Sequence, residues 1–262
     1  KGVYWDNWFI APTFNTEMTE AYRKPDGSIV PAAGIWAMRE MCKRTFIMMN
    51  ERGMLPIVFP HMTSFSPLPL LSFATVQYEW EWKYSEGDVQ DRFTRDYILL
   101  ITTGELAGVW PVPLHDHGPK ADDPWTQRTF MAVRLVHELD GIGGCLPNTQ
   151  KAMQVVLDML TKDGLQVYKY WEDRPQPARS NHPDIPLIVY AVPGKETLVC
   201  LASYAQQDEK IELAIDLKAL GLTAGCAVSD AETGEAISLT DGKLTLSIKK
   251  HDLKMVRLTA KE

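Results

Sequence analysis

No run in the 262-residue sequence approaches the roughly 18 consecutive apolar residues of a membrane-spanning helix, so no membrane partner is expected. Cysteine is scarce. Cys42, Cys145, Cys200 and Cys226 lie far apart without a CxxC pair, which argues against a disulfide framework or a structural zinc site. Basic residues are outnumbered, 27 Lys and Arg against 34 Asp and Glu, and a net charge of −7 offers no basic face to displace counterions from nucleic acid. GxSxG, HExxH, the P-loop and GxGxxG after a strand are all missing, so the enzyme classes built on them lose their usual support and no cofactor is implied. Internal repeats and low-complexity segments are also missing. The chain opens inside a strand with neither an initiator Met nor a signal peptide, so an upstream segment or a gene fragment is expected and the compartment is unknown.

Tryptophan is the excess: eight residues, of which Trp5, Trp8, Trp80, Trp82 and Trp110 fall in or beside expected strands of the first half. The opening stretch, Val3-Tyr4-Trp5-Asp6-Asn7-Trp8, reads as a β-branched and aromatic strand that carries a single carboxylate. An acid in such a run costs stability unless it is paired or used. At the carboxyl end of a parallel strand, a carboxylate between Tyr and Trp suits sugar chemistry: rings cover apolar sugar faces while the acid works on the anomeric carbon. The alternative for Asp6 is a turn or cap residue closing the strand.

Helices are expected over 35–51, 89–103, 126–139 and 149–160, and strands over 54–59, 75–82 and 109–114. This alternation is the rhythm of a parallel sheet with helices outside it, and functional residues then gather at the carboxyl ends of the strands. About four βα units are present, fewer than a closed eight-unit barrel needs. From Pro175 the composition changes to prolines and then to period-two segments separated by Pro193-Gly194, Thr233-Gly234 and Asp241-Gly242. The expected fold class is α/β: a partial TIM-type (β/α) barrel over 1–175 and a small antiparallel β-sandwich over 176–262. No cluster of His, acids or aromatics is visible in the latter, and no chemistry is assigned to it.

Strand ends supply the candidates. In Tyr78-Glu79-Trp80-Glu81-Trp82, alternation separates two carboxylates from two indoles. A glycosidase needs one protonated and one ionised carboxyl across the scissile bond, and Asp6 with Glu79 or Glu81 is the best-placed pair. A solvated strand end or an ion pair with Lys83 or Arg92 is the structural alternative for each Glu. Tyr4, Trp5, Trp8, His61, Trp80, Trp82, Trp110, His115 and His117 form the expected sugar-contacting set. His115 and His117, two apart on a strand, could chelate a metal with His61 or a Glu. The Gly118-Pro119 that follows favours a loop and contacts to substrate hydroxyls, so no metal is assigned.

Gly2-Val3-Tyr4-Trp5-Asp6 resembles the strand carrying a catalytic acid in several retaining (β/α)8 glycosidases. Together with Tyr78-Glu79-Trp80-Glu81-Trp82-Lys83-Tyr84 and the terminal sandwich, it is similar to the carboxyl-terminal part of large bacterial proteins like family 123 glycoside hydrolases. The resemblance implies a glycoside hydrolase acting on β-galactosides, β-glucosides or related sugars, and a secreted or periplasmic place for the full-length proteins. Family 123 uses an adjacent Asp-Glu pair with the substrate's acetamido group, whereas Asp6 is followed by Asn7. Two other readings stay open: a carbohydrate-binding fragment without turnover, and a metal-dependent hydrolase. Because about four strands cannot close a barrel, a homo-oligomer or association with the missing strands is expected.

Overall fold

The computed structural model describes residues 1–8, 10–61, 68–79, 87–100, 108–114, 120–139 and 147–261, with 68, 78, 79 and 147 as main chain alone. The chain divides into two compact units, one of residues 1–81 and 97–114, the other of 82–96 and 115–262.

The first unit opens with β1 (Val3–Trp5), shorter than the apolar run that contains it. A small hairpin of β2 (Tyr22–Arg23) and β3 (Ile29–Val30) follows. Its turn sits where Pro25-Asp26-Gly27 predicts one: Gly27 takes φ 86°, a left-handed conformation that favours glycine, and Asp26 accepts the Ser28 amide at 2.9 Å. Helix α1 (Ile35–Glu51) has the expected bounds and lies between Gly34 and Gly53, both at positive φ. β4 (Val58–Pro60), the four-residue helix α2 (Leu68–Leu71), β5 (Val76–Glu79) and β6 (Trp110–Pro113) complete the unit. α2 lies in a proline-containing segment that reads as loop.

β1 runs parallel to β4, from Val3 opposite Val58 to Trp5 opposite Pro60. β5 runs parallel to β6, from Val76 opposite Trp110 to Glu79 opposite Pro113. Thr75 joins the two pairs: its amide donates to Val58 O at 2.9 Å, its hydroxyl accepts the Val58 amide at 2.8 Å, and its carbonyl accepts the Trp110 amide at 3.0 Å. Pro60 has no N–H to continue that ladder. The four strands therefore lie in chain order. Met38, Cys42 and Phe46, one stripe of α1 at intervals of four, pack with Trp8, Val58 and Leu70.

In the described part of the helix expected over 89–103 there are two short ones, α3 (Val89–Arg92) and α4 (Arg95–Ile98), because Phe93 leaves the helical region at ψ 81°; residues 101–103 lie outside the described residues. In the second unit α5 (Pro124–Val136) starts on Asp123, whose carboxylate accepts the Thr126 amide at 2.7 Å, with Pro124 where no amide hydrogen is needed. α6 (Gln150–Leu160) follows a single 3-10 turn. Eight strands complete the unit: β7 (Gln166–Lys169), β8 (Ala178–Ser180), β9 (Leu187–Val192), β10 (Glu196–Ala202), β11 (Glu209–Ile215), β12 (Ala227–Asp230), β13 (Lys243–Ile248) and β14 (Leu253–Thr259). They form a five-stranded antiparallel sheet, β12-β14-β10-β9-β7, and a three-stranded one, β13-β11-β8, which share one apolar core.

The expected break at residue 175 is not where these units divide. β9 is buried at all six positions, so both faces of its sheet are covered. One face joins the shared core. Against the other lie Met131, Leu135 and Val136 of α5 and Met153, Val156 and Met159 of α6. The period-two reading holds for β11 and β13, whose buried and exposed residues alternate, and fails for β9 and β10. Among the described residues, no helix is long and apolar enough to cross a membrane. Cys42, Cys200 and Cys226 are free and buried.

His137 caps α5 and is buried in an aromatic box. It stacks on Trp171 with centroids 5.8 Å apart and meets Tyr170 and Tyr204 edge-on, while its Nε2 lies 2.8 Å from the Tyr170 hydroxyl. Burial lowers its pKa to about 4, against the pull of the Val133 carbonyl. As pH falls through 6.5, the unfolded chain takes up a proton that the folded chain refuses until about 4, so stability falls across that window. The expected loss is on the order of 3 kcal/mol, read as the difference between wild-type and His137→Gln urea curves at pH 7.5 and 4. Coincident pH dependence of the two proteins would contradict it.

Candidate active site

The carboxyl end of β1 is built around a reversal. Asn7 takes φ 52°, a left-handed conformation that Asn tolerates better than most residues, and this lets the chain return to its neighbour. The His61 amide donates to Trp5 O at 2.9 Å and the Trp8 amide to His61 O at 2.7 Å, leaving Asp6 and Asn7 looped out between two ladder bonds. Asp6 is thus presented beside His61, the residue that follows β4.

Three donors or donor-acceptors converge on Asp6 Oδ1. The Asn7 amide donates at 2.9 Å, the Tyr4 hydroxyl donates at 3.2 Å, and His61 Nδ1 lies at 3.1 Å. Tyr4 Oη and His61 Nδ1 are themselves 2.7 Å apart, which closes a three-membered polar ring. Among the described residues, no such contact falls on Oδ2. The Asp6 side chain is 56% exposed while that of His61 is only 5% exposed. The Asn7 amide, with the Tyr4 hydroxyl and His61, holds the Asp6 carboxyl below the usual carboxylate range despite the opposing effect of desolvation. The arrangement is an ionised, oriented carboxylate with one oxygen held and, among the described residues, the other without a hydrogen bond.

The pKa has a direct test. Tyr4→Phe and His61→Gln are each expected to raise the Asp6 carboxyl pKa toward its ordinary value of 3.8, read from the Asp6 side-chain carbonyl carbon by NMR titration. A midpoint unmoved in both variants would leave Tyr4 and His61 without electrostatic influence on Asp6.

The other expected residues fall into three groups. Glu79 is the last residue of β5, at the same carboxyl ends as Asp6 and His61, and its main chain alone is described. Trp80, Glu81, Trp82, His115 and His117 lie outside the described residues. Trp8 and Trp110 occupy different places in the unit. Trp8 is 3% exposed, stacked on Trp5 at 6.0 Å and packed with Cys42, Val58 and Leu70, so it is a core ring. Trp110 is 52% exposed but begins β6, opposite Val76, at the end of the sheet away from Asp6. Trp5 shares that core packing. Tyr4, 47% exposed, has a second task the sequence did not disclose: its hydroxyl bridges two strands to hold the carboxylate.

Among the described residues, one group could hold a cation by geometry, Asp88, Asp91 and His251 of the second unit. Its atoms are already committed: Asp88 accepts from Trp125 Nε1 at 3.0 Å and faces His251 Nδ1 at 2.8 Å, and Asp91 accepts the Asp88 amide at 2.9 Å. That set closes the start of α3, where Asp88 is the residue before the helix.

With these strands and sheets, the fold can be set beside solved structures that are similar to it. The GH27 β-L-arabinopyranosidase of Geobacillus stearothermophilus is similar with a TM-score of 0.54 at 16% identity, over 84% of this chain and 54% of that one. α-Galactosidase I of Mortierella vinacea is similar at 0.53 and 10% identity, over 85% and 64%. At such identities the likeness is one of fold, and this chain spans less than two thirds of the length of either structure. No curated protein matches the chain in sequence. Residues 154–251 match the family described as glycoside hydrolase 123, C-terminal domain, the family that the sequence resembles.

Proposed function

We propose that the chain contributes to a glycoside hydrolase site at the carboxyl ends of β1, β4, β5 and β6, and that these strands are staves of a (β/α) barrel. The observation that carries the reading is the Asp6 carboxylate, ionised and fixed through Oδ1, with no hydrogen bond on Oδ2 among the described residues. Such a group can attack an anomeric carbon or stabilise an oxocarbenium-like transition state. Glu79 or Glu81 would be the acid/base that protonates the leaving oxygen. Tyr4 and His61 would orient the nucleophile, and the rings after β5 would cover the sugar faces. The substrates would be β-galactosides, β-glucosides or related sugars. Release of 4-nitrophenol from a panel of 4-nitrophenyl glycosides tests the reading. Turnover of at least one supports it. Saturable binding of the same glycosides without any release would make the site a binding surface.

Among the described residues, β1 is hydrogen-bonded in its sheet to β4 alone. We propose that its other edge is covered by a second copy or by further barrel strands, because open parallel edges seek partners. Light scattering at micromolar concentration should show an oligomer. A monodisperse monomer would contradict the second copy.

A further inference from the structure

In the second unit, separated parts of the chain meet around a cavity of about 210 Å3 lined by Gln90, Arg95, Asp96, Asp184, Tyr204 and Gln206, with Thr94. Every lining residue is polar or charged. We propose that this cavity is a binding site for one sugar unit of a carbohydrate, separate from the Asp6 cluster.

The charges select the ligand. Arg95 Nε lies 3.8 Å from Asp96 Oδ1, and Asp184 adds a second carboxylate. Two carboxylates disfavour an anion and a guanidinium disfavours a simple cation. A sugar hydroxyl donates and accepts at once, so it fits a wall that offers both kinds of group. Arg95 is held in place, because its Nη1 donates to Pro183 O at 2.6 Å.

The back wall carries unused polar capacity. Tyr204 Oη and Gln90 Oε1 are shielded from solvent and, among the described residues, have no hydrogen-bond partner. Gln90 is fixed by its other end, which donates to Thr129 O at 3.1 Å and His251 O at 2.9 Å. Each unpaired buried polar atom costs about 1–3 kcal/mol. A ligand hydroxyl that reaches them with a small side-chain shift removes that cost. The volume argues for more than one bridging water: at about 30 Å3 of liquid per water, the cavity has room for several.

Tyr204 also gives the wall stiffness. Its ring meets His137 edge-on at 6.2 Å, and His137 stacks on Trp171. Little reorganisation is needed before a sugar face meets the ring. Arg95 lines a second cavity as well, of about 440 Å3, together with Tyr170. A carbohydrate longer than one unit has room beside it.

The test uses the full chain in backbone-labelled form, titrated with D-galactose, D-glucose and L-arabinose and followed by NMR. The glycoside-hydrolase reading supplies only this choice of probes. Saturable shifts are expected at the amides of Arg95, Tyr204 and Gln206 with at least one sugar, unchanged in Asp6→Asn. Tyr204→Phe should weaken that binding about tenfold, the loss of one hydrogen bond. The same variant should leave apo stability equal or higher, since it deletes an unpartnered hydroxyl. Gln206→Ala, an exposed position that the fold tolerates, should also weaken binding several-fold. Shifts absent with all three sugars, or insensitive to both variants, would mean that the cavity holds solvent only and would overturn the proposal. Hydrolysis without these shifts would sink this site alone. Shifts without hydrolysis would sink the catalytic reading alone.

Discussion

Asp6→Asn is expected to lower glycoside turnover by on the order of 10²–10⁴-fold with little change in thermal unfolding. Asn has nearly the size of Asp, and its side-chain oxygen can still accept from the Asn7 amide and the Tyr4 hydroxyl, 2.9 and 3.2 Å away in the native chain. What it loses is the negative charge, and with it both nucleophilic attack and stabilisation of a cationic transition state. The site is half exposed, so the fold does not depend on that charge. Measurement of kcat alongside a melting curve separates the two. Near-native turnover in a well-folded Asp6→Asn would remove Asp6 from the chemistry.

Leu213→Ala is expected to destabilise the second unit by about 3 kcal/mol, within the range of buried leucine truncations. Leu213 has no exposed surface and packs in the core shared by the two antiparallel sheets, beside residues such as Val199 and Leu201 of β10 and Leu244 and Leu246 of β13. A cavity between two hydrogen-bonded sheets cannot collapse easily, because each sheet is held by its own ladder. Leu157→Ala in α6, where the native side chain is 41% exposed, should cost less than about 1 kcal/mol. Urea midpoints at neutral pH provide the comparison. Equal losses at the two positions would contradict a core between the sheets.

Much of this architecture is legible in the sequence wherever one residue pattern has one physical cause. The stripe of α1 recurs at helical spacing and ends at a glycine, so both bounds of the helix can be read. β11 and β13 alternate because one face meets water. β9 has no alternation to read, and its continuous apolar run is the signal that α5 and α6 cover its other face. α5 and α6 belong to the same unit as the sheet that they cover. At the site, strand-end position singles out Asp6 and His61. The sequence cannot separate Trp8, turned into the core, from a ring turned outward, because both are aromatic residues near one acid. Trp110 lies apart from Asp6 because a parallel register puts the start of one strand at the far end of the sheet from the carboxyl ends of its companions. The polar cavity in the second unit is invisible in one dimension. Gln90, Arg95, Asp184 and Tyr204 come from distant segments, and none carries a motif.

The most direct measurement is a crystal structure with a non-hydrolysable glycoside analogue bound. The expected result has the anomeric carbon next to Asp6 Oδ2, with a carboxyl of Glu79 or Glu81 on the glycosidic oxygen. A carboxyl separation of about 5–5.5 Å would indicate retention and about 6.5–9.5 Å inversion. A sugar seated with its anomeric carbon away from Asp6, flanked by other carboxylates or by none, would contradict the assignment of the site.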